Sequence, residues 1–270
     1  MNPILDTLRA RADYVAEDEL ADGVGLPVEE VRRALVALRT QGYEIDDHPG
    51  LGYRFLAAPD ALLEDEIRHG LDTRVIGCRI HCHESVGSTN DIAAGLASEG
   101  APEGTLVLAE RQTAGRGRHG RTWHSPPRVG ITLTCILRPP LTPPDFWIAT
   151  AMASVAVCRA VAATAGLRPI VKKPNDVLIE GRKVCGILTE AKRDALILGI
   201  GVSVNHRLED FPVDLREIAT SLRIASGRPV DRIGLLRRLL KELDTGYEEL
   251  KKDGGKEAVE RWEGLSEEKT

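Results

Sequence analysis

The 270-residue sequence has no surplus of positive charge: 36 Lys and Arg stand against 41 Asp and Glu, a net charge of −5. That balance excludes wholesale binding to nucleic acid or to an anionic membrane as the basis of function. No apolar run reads as long enough to span a bilayer, and the opening Met-Asn-Pro-Ile-Leu-Asp lacks a signal-peptide pattern. The sequence therefore predicts a cytoplasmic protein with no membrane partner. Cysteines are few and scattered (Cys78, Cys82, Cys135, Cys158, Cys185), with no CxxC pair. Reduced, mostly buried thiols are expected rather than disulfides. His81-Cys82-His83 does not read as a metal site, because neighbours on a strand face opposite ways and no second ligand pair follows.

What is present is the composition of a packed chain, 42% hydrophobic and 29% charged. The length suits one large domain and one small one. Residues 1–62 read as the small one. Apolar spacing predicts short helices over 2–12 (Ile4, Leu5, Leu8) and 18–24, then a longer one over 28–41 with Val31, Ala34, Leu35 and Leu38 on one face. Tyr43 to Phe55 reads as two strands about a Pro49-Gly50 turn. Three helices and a hairpin are the order of a winged helix-turn-helix, with the third helix in the recognition position. Arg32, Arg33 and Arg39 on that helix are candidate DNA contacts. Charge opposes them: residues 1–60 hold six Arg and twelve Asp or Glu, a balance of −6, with Glu29 and Glu30 at the start of the third helix. An operator reader and a degenerate interaction module both remain open.

Residues 63–270 alternate strands and helices irregularly, which predicts an α+β domain around a mixed sheet. Strands are expected at 74–83, 105–110, 130–137 and 169–172. A meander follows over 176–179, 183–191 and 195–204, with turns at Glu180-Gly181 and Arg193-Asp194. A nearly all-apolar helix spans 145–166 and an amphipathic one 235–252. Ser88 and Asn90 read as caps of a helix that opens at Asp91.

Four stretches carry chemistry. Gly115, Gly117 and Gly120 alternate with Arg116, Arg118 and Arg121 in a loop that closes on Trp123. Glycine permits close backbone approach, arginine offers a fork of donors to an anion, and an indole offers a stacking face. Lys172-Lys-Pro-Asn-Asp176 stands at a strand end, and Lys183-Val-Cys-Gly186-Ile-Leu-Thr-Glu190 follows a tight turn. Gly199-Ile-Gly201-Val-Ser203 sets glycines at alternate strand positions, where side chains would block a ligand.

In this order, together with Ser88-Thr89-Asn90, the motifs resemble the biotin protein ligases, of the kind that carries an N-terminal winged helix and doubles as the biotin operon repressor. Gly115 to Arg121 matches that family's glycine-arginine biotinyl-adenylate loop. Residues 88–90 match its S-T-N motif, 172–176 its K-W-P-N-D motif and 183–188 its K-x-x-G-I-L motif. The resemblance implies a winged helix-turn-helix followed by a mixed-sheet catalytic domain akin to class II aminoacyl-tRNA synthetases and lipoate ligases. It implies that biotin's carboxylate attacks the α-phosphate of ATP, and that the acyl group then passes to a lysine of an acceptor such as the biotin carboxyl carrier protein. Lys183, Arg116 and Arg118 are then the expected catalytic residues. Ser88, Thr89, Asn90, Gln112, Gly115, Arg116, Gly117, Arg118, Lys183 and Gly186 are expected around biotin. Arg118, Arg121, Trp123, Lys172, Asn175, Asp176 and Ser203 are expected around ATP and the adenylate, with Asn175 and Asp176 also toward Mg²⁺. A homodimer is implied. Three departures accompany the match: Lys173 stands where the family has tryptophan, Ser203 where many members have asparagine, and the family's small C-terminal domain is expected to be absent. A biotin-responsive DNA-binding regulator and a lipoate-type ligase are the alternative readings.

Overall fold

The computed structural model describes residues 2–266, which divide into two compact units at Ala61/Leu62. In the smaller unit α1 (Pro3–Arg9), α2 (Glu17–Val24) and α3 (Val28–Thr40) precede a hairpin of β1 (Glu44–His48) and β2 (Gly52–Ala57). Asn2 opens α1 by accepting the N–H groups of Ile4 and Leu5. Ile4, Leu5, Leu8, Leu20, Val31, Leu35 and Leu38 are all buried, as their helical spacing requires. Val15 exchanges backbone hydrogen bonds of 2.8 and 2.9 Å with Tyr53, adding a bridge to the hairpin edge. Gly52 permits that approach: its φ is +98°, and a Cβ there would lie 2.0 Å from Val15 O.

The larger unit is organised on a seven-stranded sheet. Its elements are α4 (Glu64–Arg68), β3 (Ile80–Val86), α5 (Thr89–Ser98), β4 (Leu106–Gln112), β5 (Gly130–Leu137), α6 (Trp147–Ala165), β6 (Ile170–Lys172), β7 (Asp176–Ile179), β8 (Arg182–Lys192), β9 (Ala195–Ser203), α7 (Leu222–Ser226), α8 (Arg232–Asp253) and α9 (Lys256–Gly264). Strand order is β3-β4-β5-β9-β8-β7-β6. Among the named strands of the described residues only the β3–β4 pair is parallel, and α5 is the crossover between them, as a parallel connection demands. The sheet is mixed and the unit α+β, as the sequence predicts.

Helix α6 corrects one expectation. Its stretch is long and apolar enough, by length and composition, to cross a membrane. Thirteen of its residues are instead buried in the protein, so it is a core helix. With α8 it covers one sheet face, packing Met152, Val155 and Val161 with Leu236, Leu239, Leu243 and Tyr247 and with Leu133, Ile187 and Leu198 of the strands. Each large apolar side chain so buried contributes about 1.5–3 kcal/mol. The opposite face is thinner: α5 lays Ala93 and Ala97 on Val107, Ile136, Ala195 and Ile197.

A second correction concerns residues 74–83. The strand starts only at Ile80, because the N–H groups of Arg74, Val75 and Ile76 all donate to the carboxylate of Asp244 on α8 at 2.8–2.9 Å. Their ladder bonds are replaced by a partner about 170 residues away.

Candidate active site beneath the glycine-arginine loop

Side chains alternate along a strand, so register fixes which residues share the α5 face. On β9 that face runs Ala195, Ile197, Gly199, Gly201, Ser203. On β5 the partners are Ile136 opposite Ile197, Thr134 opposite Gly199, Thr132 opposite Gly201 and Gly130 opposite Ser203. On β8 they are Glu190 opposite Ile197, Leu188 opposite Gly199 and Gly186 opposite Gly201. The central strands thus change from apolar to small or polar residues just past the start of α5. A shallow floor of nearly bare backbone results.

The loop after β4 folds over this floor as a small hairpin. Gly117 N–H donates to Arg121 O at 2.7 Å and Trp123 N–H to Gly115 O at 2.9 Å. At the tip, His119 (φ 57°) and Gly120 (φ 73°) are both left-handed, a conformation that strains a histidine and suits a glycine. A Cβ on Gly115 would lie 2.6 Å from Trp123 O.

Two of the floor's gaps are filled by the protein's own side chains, which changes the meaning of the alternate glycines. A Cβ on Gly201 would lie 2.3 Å from Trp123 Cε2, and one on Gly186 3.2 Å from Trp123 Cζ3. The indole therefore rests on those two glycines. A Cβ on Gly199 would lie 2.4 Å from Asn90 Oδ1, so that glycine accommodates the Asn90 amide.

A hydrogen-bonded circuit ties the loop down. Gln112 Oε1 accepts from Thr89 N at 2.7 Å and from Thr89 Oγ1 at 2.9 Å. Thr134 Oγ1 lies 2.8 Å from Thr89 Oγ1 and 2.7 Å from Asn90 Oδ1, one hydroxyl proton serving two acceptors. Asn90 Nδ2 donates to Glu190 Oε2 at 2.6 Å, and Arg116 Nη2 reaches the same oxygen at 3.4 Å. Arg116 also grips Asp91 with two bonds, 2.7 and 2.8 Å. That guanidinium holds the Asp91 carboxyl below the usual carboxylate range. The capping expectation for Ser88 and Asn90 is corrected here. Ser88 is the N-cap residue of α5 but makes no side-chain cap bond. Asn90 lies within the helix, and Gln112 takes the first-turn N–H.

A second group gathers at the β6–β7 turn. Lys183 Nζ lies 2.7 Å from Asp176 Oδ1 and 5.7 Å from the centre of the Trp123 ring. Arg118 Nη1 donates to Asn175 Oδ1 at 3.3 Å, and Asn175 Nδ2 donates to Ile187 O at 3.0 Å. One oxygen of each residue expected near magnesium, Asp176 Oδ1 and Asn175 Oδ1, therefore faces a cation of the protein. Lys172 at the end of β6 and Arg118 and Arg121 on the loop are all exposed. Lys173 is turned elsewhere: its Nζ stands 4.5 Å above the Trp262 ring, which itself packs on Trp147 at 5.6 Å. Ser203 is buried at the end of β9. Asn205 is taken up by the backbone of Val230, donating to its O and accepting from its N, both at 2.9 Å.

On the smaller unit the three candidate arginines are all engaged. Arg32 pairs with Glu17 and Glu29, Arg33 with Glu30, and Arg39 with Asp47 and Ile45 O. Sequence reading gave no role to Asp91, Thr134 or Glu190, although Glu190 ends the stretch that begins at Lys183. It also missed the segment 206–221, whose Ile218 O accepts the Lys183 N–H at 2.9 Å and whose Thr220 N–H returns to Lys183 O at 2.8 Å.

Residues 83–205 match the Biotin/lipoate A/B protein ligase family. Over 263 residues the chain is 38% identical to the "Bifunctional ligase/repressor BirA" of Bacillus spizizenii, covering 96% of this chain and 81% of that protein. It is 39% identical over 163 residues to the "Biotin--[acetyl-CoA-carboxylase] ligase" of Mycobacterium tuberculosis, covering 58% and 60%. A solved biotin protein ligase from Aquifex aeolicus, in complex with biotin and ATP, superposes with a TM-score of 0.62 at 30% identity, over 70% of this chain and 78% of that one. The chain belongs to the biotin protein ligase family that includes the bifunctional ligase/repressors.

Proposed function

We propose that the protein is a biotin protein ligase that forms biotinyl-5′-AMP from biotin and ATP and passes the acyl group to a lysine of a carrier domain. The observation that carries this reading is the placing of Lys183 beside a glycine floor, under a loop whose remaining cations are Arg118 and Arg121. A bicyclic ring and an alkyl chain need a shallow apolar bed with a few oriented polar partners. Gly186, Gly201 and Leu188 supply the bed. Ser88, Thr89 and Gln112 supply donors and acceptors for a ureido group.

Trp123 rests on Gly186 and Gly201 of that bed, and its indole is the face offered to the adenine. Lys183 exchanges Asp176 for the biotin carboxylate and steadies it as it attacks the α-phosphate. The charge developing on that phosphate is met by Lys183, Arg118 and Lys172, in a site whose closure excludes water. Once Lys183 has turned to biotin, the Asp176 carboxylate and the Asn175 amide oxygen are the groups that would hold magnesium, which would offset charge on the ATP phosphates. Pyrophosphate release measured with ATP and biotin, and again with ATP and lipoate, tests the assignment. Release with lipoate alone overturns it in favour of a lipoate-type ligase.

We assign residues 1–62 to a winged helix and 63–270 to the catalytic domain, paired in a homodimer. A second role, as biotin-responsive repressor, is favoured by the order of three helices and a hairpin and by the names of the relatives. The acidic balance and the paired arginines oppose it. Salt-dependent binding of the full chain to duplex DNA supports that role, and no binding at low salt excludes it.

A further inference from the structure

We propose that Arg116 is the latch of the glycine-arginine loop rather than a contact for the substrate's anion, and that Asp91 and Glu190 are the positioning residues that hold it. The functional consequence rests on the ligase reading above; the latch itself does not.

Charge carries the argument. Arg116 faces two carboxylates, Asp91 with a two-bond fork of 2.7 and 2.8 Å and Glu190 at 3.4 Å. The three groups together are net negative. A phosphate or carboxylate brought to Arg116 would meet both carboxylates, so this arginine is poorly placed to take nucleotide charge. The other cations of the loop differ. Arg118 meets the neutral oxygen of Asn175, and Lys183 meets one carboxylate, Asp176.

Connectivity supplies the mechanism. Gln112 and Arg116 bracket the first limb of the loop. Both belong to the circuit that runs Gln112, Thr89, Thr134, Asn90, Glu190, Arg116. Glu190 is the junction, since one of its oxygens accepts from both the buried Asn90 amide and the Arg116 guanidinium. Holding Arg116 fixes the hairpin base formed by the Arg116–Thr122 bridge, and with it the backbone that carries Trp123. The pair is half-exposed, Arg116 at 40% and Asp91 at 61%, and exposed pairs contribute modestly. The latch therefore shifts an opening equilibrium several-fold without dictating the fold. Its chemical value is retention: an acyl-adenylate beneath a loosely held loop escapes to water and to bystander amines.

The test uses the unliganded full chain, treated with trypsin, with cleavage after Arg118 and Arg121 followed by mass spectrometry. Asp91→Asn is expected to be cut there about fivefold faster than the parent. The charge-swapped double variant Asp91→Arg/Arg116→Asp, which restores opposite charges, is expected to return to within about twofold of it. Parent-like cleavage of Asp91→Asn, or a double variant no better protected than Arg116→Asp alone, overturns the latch. Should Asp91→Asn fail to fold by circular dichroism, Glu190→Gln is read in the same way. In a second arm, ATP, biotin and serum albumin are added. Greater biotinylation of albumin lysines by Asp91→Asn than by the parent supports retention, and equal labelling by the two overturns it. A parent chain that makes no adenylate overturns the ligase reading, while the trypsin arm still decides the latch.

Discussion

Lys183 Nζ stands 2.7 Å from Asp176 Oδ1 and beneath the face of Trp123, so the cation, the carboxylate and the indole of three separate motifs meet at one point. Replacing Lys183 by alanine removes the charge that steadies biotin's carboxylate and the reacting phosphate. We expect pyrophosphate release in the presence of ATP and biotin to fall about 10²–10³-fold, the range seen when a single charge-stabilising donor is removed. A rate within about threefold of the parent contradicts the role.

The floor glycines make a second prediction. Gly201→Ala places a methyl 2.3 Å from the Trp123 ring, so the indole must leave its seat. Tryptophan emission is expected to move to the red in Gly201→Ala and to show no such shift when Gly201→Ala is built on Trp123→Phe. Gly199→Ala drives a methyl against the Asn90 amide at 2.4 Å and is expected to destabilise the domain by about 1–3 kcal/mol in urea unfolding.

The base of the loop is set by a buried ion pair. Arg232 Nη1 and Nη2 lie 2.6 and 3.0 Å from the carboxylate of Glu110, and the two side chains are 0% and 3% exposed. Glu110 also accepts the N–H of Leu62 at 2.7 Å. Arg232→Met leaves a buried carboxylate without its cation and is expected to cost about 3–5 kcal/mol. Adding Glu110→Gln to it should recover part of that loss. A double variant less stable than Arg232→Met argues against the pairing as the source of the loss.

His206 gives the pH dependence. It is 2% exposed and stacked on Phe211 at 5.1 Å. Burial drives its pKa down to about 4, with Asp210 opposing and His124 assisting. The folded pKa lies below the unfolded value of about 6.5, so the unfolded chain binds the extra proton first. The stability contributed is fully present above about pH 6.5 and is lost as pH falls from there to about 4, a loss of about 3 kcal/mol. His206→Phe is expected to flatten that part of the urea-midpoint profile, and an unchanged profile refutes the assignment.

Much of the fold is legible in local pattern. The β8–β9 hairpin follows from strand alternation and the Arg193-Asp194 turn. Helix α6 is legible as a helix because apolar residues surround it, although the same pattern is long enough for a membrane. What escapes local reading is non-local. Residues 74–76 look like strand, yet Asp244 claims their amides. Lys173 looks like a charge added near the nucleotide, yet Trp262, 89 positions on, turns it aside. Motif residues were legible as a set. The roles of their partners Asp91, Glu190 and Thr134 were not, because an ordinary acid or threonine acquires meaning only from what lies across the sheet.

The circuit around Gln112 bears on how the protein folds. Its links join residues 23, 45, 44, 100 and 74 positions apart, drawn from β4, α5, β5, β8 and the loop. Contacts of such sequence separation form late, after the loop-closure entropy of the intervening chain has been overcome. The strands β5, β9 and β8 must stand side by side before Glu190 can reach Asn90. Partly folded chains thus lack the anchored loop, and the capacity to hold a reactive intermediate arrives only with the completed sheet.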